Sequence, residues 1–159
     1  MNNELKYVYL KSHPLFANIS EKQIAEASEL AKVKTVYRGE TFDYGASGYS
    51  KVYLLIKGKI KITLCDELDN ELIKDILTAP DIFGDLSLDG RPSADEFAQA
   101  LMANTVVCSF TVGDFKKLMQ ENSRFCSGAR TFAGLRAEPR ETRCCCSGYT
   151  GWCCYGWLR

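Results

Sequence analysis

The side chains richest in chemistry crowd into the last quarter of this 159-residue chain. Six of the eight cysteines lie there: Cys126, Cys144, Cys145, Cys146, Cys153 and Cys154. Thiolates select soft metals such as zinc or copper(I). Adjacent cysteines, however, cannot all reach one tetrahedral ion, and no Cys-x-x-Cys pair is followed by a second pair. The two remaining thiols, Cys65 and Cys108, fall in predicted strands, where a buried structural role is expected. An iron–sulfur centre needs about four placed cysteines, more than this part of the chain supplies. His13 is the only histidine, whereas a facial metal triad takes two with a carboxylate. On an N-terminal turn it is also poorly placed to serve a nucleophile as base. Composition therefore points away from an enzyme: no catalytic and no metal-binding residue is expected.

The tail differs from what precedes it in every respect that composition can register. Residues 1 to 121 carry 14 Lys and Arg against 18 Asp and Glu, and Lys supplies 12 of those 14. Residues 122 to 159 carry six Arg, two Glu and both tryptophans, with no Lys, Ile or Val. The formal charge of zero argues against a dedicated nucleic-acid binder, and it is the sum of a −4 part and a +4 part. Arg130, Arg136, Arg140 and Arg143 offer at most nonspecific phosphate contact. Gly128, Gly134 and Pro139 are expected to interrupt any long helix, and nothing after Cys144 has a recognition-helix pattern. The chain divides accordingly into a domain over 1 to 121 and an atypical Cys-, Arg- and Gly-rich tail over 122 to 159. Such an abrupt change is what reading a gene out of frame produces, with the frame lost near Asn122 to Cys126.

The elements of the first part can be read from period and punctuation. Leu5 to Lys11 predicts a short helix, ended before His13-Pro14 because a proline restricts its predecessor. Ser20-Glu21-Lys22-Gln23 has capping-box spacing, and Ile24, Ala27, Leu30 and Ala31 predict a helix over about 20 to 31. From Val33 the pattern turns to short strands cut by glycine. Lys51 to Ile56 and Lys59 to Leu64 flank Lys57-Gly58, as two strands joined through or bent at a glycine. In the second of these, Lys59, Lys61 and Thr63 face one way and Ile60, Ile62 and Leu64 the other, giving one wet face. Glu71 to Leu77 and Thr105 to Phe110 predict further strands, and a helix starts near Thr111 with Phe115, Leu118 and Met119 as its apolar stripe. The fold class is α+β: an antiparallel β-roll or jelly roll with flanking N-terminal and C-terminal helices.

Four pieces then occur in a particular order: His13-Pro14-Leu15-Phe16, Arg38-Gly39-Glu40, Tyr53 to Gly58, and Asp81-Ile82-Phe83-Gly84-Asp85-Leu86-Ser87-Leu88. Together, over roughly residues 5 to 121, they resemble the cyclic-nucleotide-binding, cupin-like sensor domain of Crp/Fnr transcription regulators. The resemblance implies a ligand loop opened by Phe83-Gly84, with a short helical turn over about Asp85 to Leu88. Free first-turn amides at such a place can receive an anion. It implies that Asp85 accepts from a ribose hydroxyl, with Phe83, Gly84, Leu86 and Ser87 around it. The family's phosphate-contacting Arg-Ser pair falls on Ala94-Asp95 here, and a carboxylate there repels a phosphate diester. Arg91 and Ser93, slightly upstream, substitute for that pair only if the loop is reshaped.

The function that follows is effector sensing for transcription regulation, with a cyclic nucleotide or another small molecule as effector. The alternative is a ligand-free, stand-alone regulatory or protein-interaction module. By the same resemblance a homodimer is expected, and DNA binding would pass through a helix-turn-helix domain not evident in this chain. The start, Met1 to Lys6, lacks the layout of an export signal, and no apolar run approaches the roughly 18 residues of a membrane span, so a cytoplasmic protein without membrane contact is expected.

Overall fold

The structure, a computed structural model, describes residues 3–42, 51–65, 71–86 and 96–134. Helix α1 (Asn3–Ser12) is followed by a 3₁₀ turn (Pro14–Phe16) and helix α2 (Glu21–Leu30). Eight strands come next: β1 (Lys32–Val36), β2 (Thr41–Phe42), β3 (Lys51–Lys57), β4 (Lys59–Cys65), β5 (Glu71–Thr78), β6 (Asp81–Gly84), β7 (Glu96–Ala100) and β8 (Thr105–Thr111). Helices α3 (Val112–Glu121) and α4 (Ser123–Gly134) close the described chain. The fold is an α+β roll of two antiparallel four-stranded sheets. The first has order β1-β8-β3-β6 and the second β2-β7-β4-β5.

Local chemistry explains most boundaries. The Ser20 hydroxyl accepts the Gln23 amide at 3.4 Å and starts α2 as the capping-box spacing predicts. Thr111 is at once the last residue of β8 and the cap of α3, its Oγ1 accepting the Asp114 amide at 3.1 Å. No residue separates the strand from the helix. Strands β3 and β4, consecutive in sequence, belong to different sheets, and Gly58 is the corner between them. Its φ of +103° is open to glycine, and a Cβ there would lie 2.4 Å from Thr105 Oγ1.

Two cores result, one on each face of the first sheet. Alternate residues of β3, β6 and β8 serve them in turn. Val52, Leu54, Ile82, Cys108 and Phe110 join Leu10, Phe16, Ile24, Phe115 and Phe125 under the helices. Tyr53, Leu55, Phe83 and Val107 join Phe42, Ile60, Ile62, Leu77 and Ala98 between the sheets.

Two expectations give way here. Thr63 lies on the same face of β4 as Lys61, yet it is fully buried rather than wet. Ile73 of β5 and Phe97 of β7 stand directly beside it in the register, and its hydroxyl has no partner among the described residues. Gly128 does not interrupt a helix: it sits inside α4, where a Cβ would press to 3.1 Å from Leu15. Packing also runs on past residue 121. The Asn122 Oδ1 accepts the Arg124 and Phe125 amides at 3.0 and 3.2 Å and starts α4. Phe125 then buries against Phe16 and Phe115 at centroid distances of 5.2 and 5.3 Å. Residues 135 to 159, with most of the cysteine-rich tail, lie outside the described residues.

Candidate functional site

The segment singled out by sequence begins at β6, which pairs antiparallel with β3 from Leu55↔Asp81 to Val52↔Gly84. Phe83 and Gly84 are therefore the last residues of the strand, and of the turn expected over Asp85 to Leu88 the residues Ser87 and Leu88 lie outside the described residues. Phe83 turns its ring into the space between the sheets, stacked on Tyr53 at 4.9 Å with 12° between planes. Phe42 meets both rings edge-on at 5.4 Å. This three-ring cluster is part of the core between the sheets, so Phe83 faces aromatic neighbours.

Gly84 then changes the direction of the chain. Its φ is +103°, and an added Cβ would stand 2.4 Å from the Lys51 carbonyl oxygen. The close approach that glycine permits here is to strand β3. The Asp85 amide donates to that same Lys51 oxygen at 2.9 Å, and the Leu86 amide donates to Gly84 O at 2.9 Å. Asp85 and Leu86 belong to neither helix nor strand, and the amides of these two residues are spent on backbone carbonyls. The Asp85 residue is only 7% exposed, and Leu86 packs against the helical core. Ser87, Arg91 and Ser93 lie outside the described residues, as does the Ala94-Asp95 pair.

One link into this segment was not legible in sequence. His13 caps the 3₁₀ turn, its Nδ1 accepting the Leu15 amide at 3.2 Å, while Nε2 lies 3.3 Å from the Asp81 carbonyl at the start of β6. Nδ1 as acceptor leaves Nε2 to carry the proton and donate. Burial pushes its pKa down to about 4, so the ring is neutral at pH 7. The single histidine is a packed cap that ties the N-terminal helical segment to β6. Helix α4 touches the same 3₁₀ turn and β6. Of the thiols, Cys108 is fully buried and desolvation pushes it up to about 12, which suits packing and not reactivity. Among the described residues no three His, Cys, Asp or Glu side chains converge as metal ligands, and no helix is long and apolar enough to cross a membrane.

Comparison with known proteins agrees with this architecture. The family model described as the cyclic nucleotide-binding domain matches residues 35–122. A comparison with curated protein sequences found no match. Among solved structures, the chain is similar to the sensor domain of the transcriptional regulator DNR from Pseudomonas aeruginosa. That match has TM-score 0.65 and 20% identity, covering 89% of this chain and 97% of that one. The Thermus thermophilus catabolite activator protein gives TM-score 0.62 and 19% identity, with 77% of this chain and 57% of that one covered. The regulatory domain of Toxoplasma gondii PKA, crystallised with cAMP, gives TM-score 0.64 and 15% identity, with 81% and 49% covered. The match thus spans about half the length of the last two.

Proposed function

The chain belongs to the cyclic nucleotide-binding domain family, and on that premise we propose that it is the effector-sensing domain of a Crp/Fnr-like transcription regulator. Its role is regulatory and not catalytic, and its place is the cytoplasm. One observation carries the reading: a buried carboxylate, Asp85, follows directly on a strand-ending glycine with positive φ. In the resembled family an acid at this position takes the ribose hydroxyl of a nucleotide. Because the amides of Asp85 and Leu86 are already donated, the anion side of the effector falls to Ser87 and the residues after it, with Arg91 and Ser93 in the loop. Occupancy of that loop would bias β6, and through β6 the helices that rest on it, α4 first. In a regulator of this kind the helices form a homodimer, and DNA is read by a separate domain.

A second reading has its own observation. Phe42, Tyr53 and Phe83 pack as core between the sheets, and by sequence Ala94-Asp95 replaces the family's phosphate-contacting Arg-Ser pair. On this reading the roll is a ligand-free regulatory or interaction module. Calorimetric titration with cyclic AMP and cyclic GMP decides between them. Heat that saturates, and an affinity that falls about tenfold or more in Asp85→Asn, supports the sensor. Silence with both ligands at about 1 mM overturns it for cyclic nucleotides.

A further inference from the structure

Strand β5 is an edge of the second sheet, and among the described residues no strand pairs with its outer side. It is also unusually apolar for an edge: Leu72, Ile73 and Ile76 are 65, 56 and 54% exposed. Edge strands with bare apolar side chains are templates for pairing with another chain. The order of residues from 72 to 77, Leu-Ile-Lys-Asp-Ile-Leu, reads nearly the same in chemical type from either end.

We propose that this edge pairs antiparallel with the same edge of a second copy of the chain, about a two-fold axis passing between Lys74 and Asp75. In that register Lys74 of each copy stands across from Asp75 of the other. Ile73 meets Ile76, and Leu72 meets Leu77. An isologous contact of this kind needs a surface complementary to itself, and the charge pair supplies it twice.

The bulge in β5 makes the register geometrically possible. Residues 73 and 76, and likewise 72 and 77, are separated by odd numbers, so in a regular strand each pair would point to opposite faces. Here Ile73 and Ile76 lie opposite Thr63 and Lys61, two apart on β4, and so share a face. Leu72 and Leu77 lie opposite Leu64 and Ile60, four apart, and share the other. The register shift that leaves Lys74 without a β4 partner brings this about. Within one copy Lys74 reaches Glu96 at 3.0 Å, and the Asp75 carboxylate accepts the Ile76 amide at 2.8 Å. The Lys74–Glu96 bond crosses β4 to reach β7, and the Asp75 bond is to its own neighbour; cross-copy contacts form in competition with both, which keeps the association reversible.

Sedimentation velocity of the full chain under reducing conditions, from micromolar to about 1 mM, reads this directly. The native chain is expected to show one association step through this edge: monomer to dimer, or dimer to tetramer where the helices already hold two copies together. Lys74→Glu and Asp75→Lys should each weaken dimerisation about tenfold or more, because each sets like charges across the axis twice. An equimolar mixture of the two variants should dimerise again, since both cross-copy pairs become opposite in charge. That restoration also shows that neither variant had merely failed to fold. A native chain without a concentration-dependent step, a step that is unchanged in both single variants, or a mixture that fails to regain it would each overturn the proposal.

Discussion

The two sheets of the roll are built from similar residues and live in different surroundings. The first is covered on both faces, by the second sheet and by the helices. The second is covered on one face by the described residues. The difference is written along the strands. In β3 four consecutive residues, Val52 to Leu55, are buried, and in β8 another four, Thr105 to Cys108. In β5 only Leu77 is. A doubly covered strand needs apolar side chains on both sides of its pleat, whereas a singly covered one needs them at every second position. The stability of this molecule is therefore expected to reside in the first sheet and its helical cover, and its capacity for contact with other molecules in the second.

The sharpest way to break that contrast is to hollow out the doubly covered side. Phe110→Ala, beneath the helices against Phe115, should cost about 4 kcal/mol in urea unfolding. A cost below about 1 kcal/mol would mean that the helices are a loose cover. Next comes acid. The His13 pKa is lowered from 6.5 to about 4 in the folded chain, so below pH 6.5 the unfolded state takes up the proton first. This group's contribution is fully present above pH 6.5 and is lost as pH falls toward 4, on the order of 3 kcal/mol in all. His13→Gln, which keeps a donor for Asp81, should flatten that part of the profile when unfolding midpoints at pH 7 and pH 4.5 are compared.

Effects on the second sheet should be smaller. Thr63→Val removes a buried hydroxyl that has no partner among the described residues and keeps its shape, so a gain of about 1 kcal/mol is expected in the same urea assay. Glu71→Ala breaks the 3.6 Å ion pair with Lys61 on the open face and should shift stability by no more than about 0.5 kcal/mol. If Glu71→Ala costs as much as Phe110→Ala, the two sheets are not the unequal partners described.

What sequence could disclose followed the same division. Helix α2 announced itself through the capping box at Ser20, a local bond between neighbours in sequence, and α3 through the apolar stripe of Phe115, Leu118 and Met119. The strands announced themselves through alternation. Which sheet each strand joins is a long-range matter: nothing in Lys57-Gly58-Lys59 says that the chain passes from one sheet to the other there. Thr63 looked wet because its own strand alternates, and it is buried by Ile73 and Phe97, which come from elsewhere. Gly128 looked like a helix breaker from its propensity alone, whereas the space its missing Cβ leaves is occupied by Leu15, over a hundred positions earlier. At the candidate site, Gly84 and Asp85 were legible as a glycine followed by an acid. That Phe83 is core, and that His13 holds the Asp81 carbonyl, depended on partners far away along the chain.

The junction at Thr111 carries a mechanical consequence. One residue both finishes the central strand β8 and fastens the first turn of α3, so strand and helix share a joint with no slack. A tilt of β8 must swing α3 as a stiff arm, its far end sweeping farther than the strand itself moves. Two glycines spliced in after Thr111 would turn that arm into a tether, leaving each element intact while silencing whatever the sheet has to say to the helices.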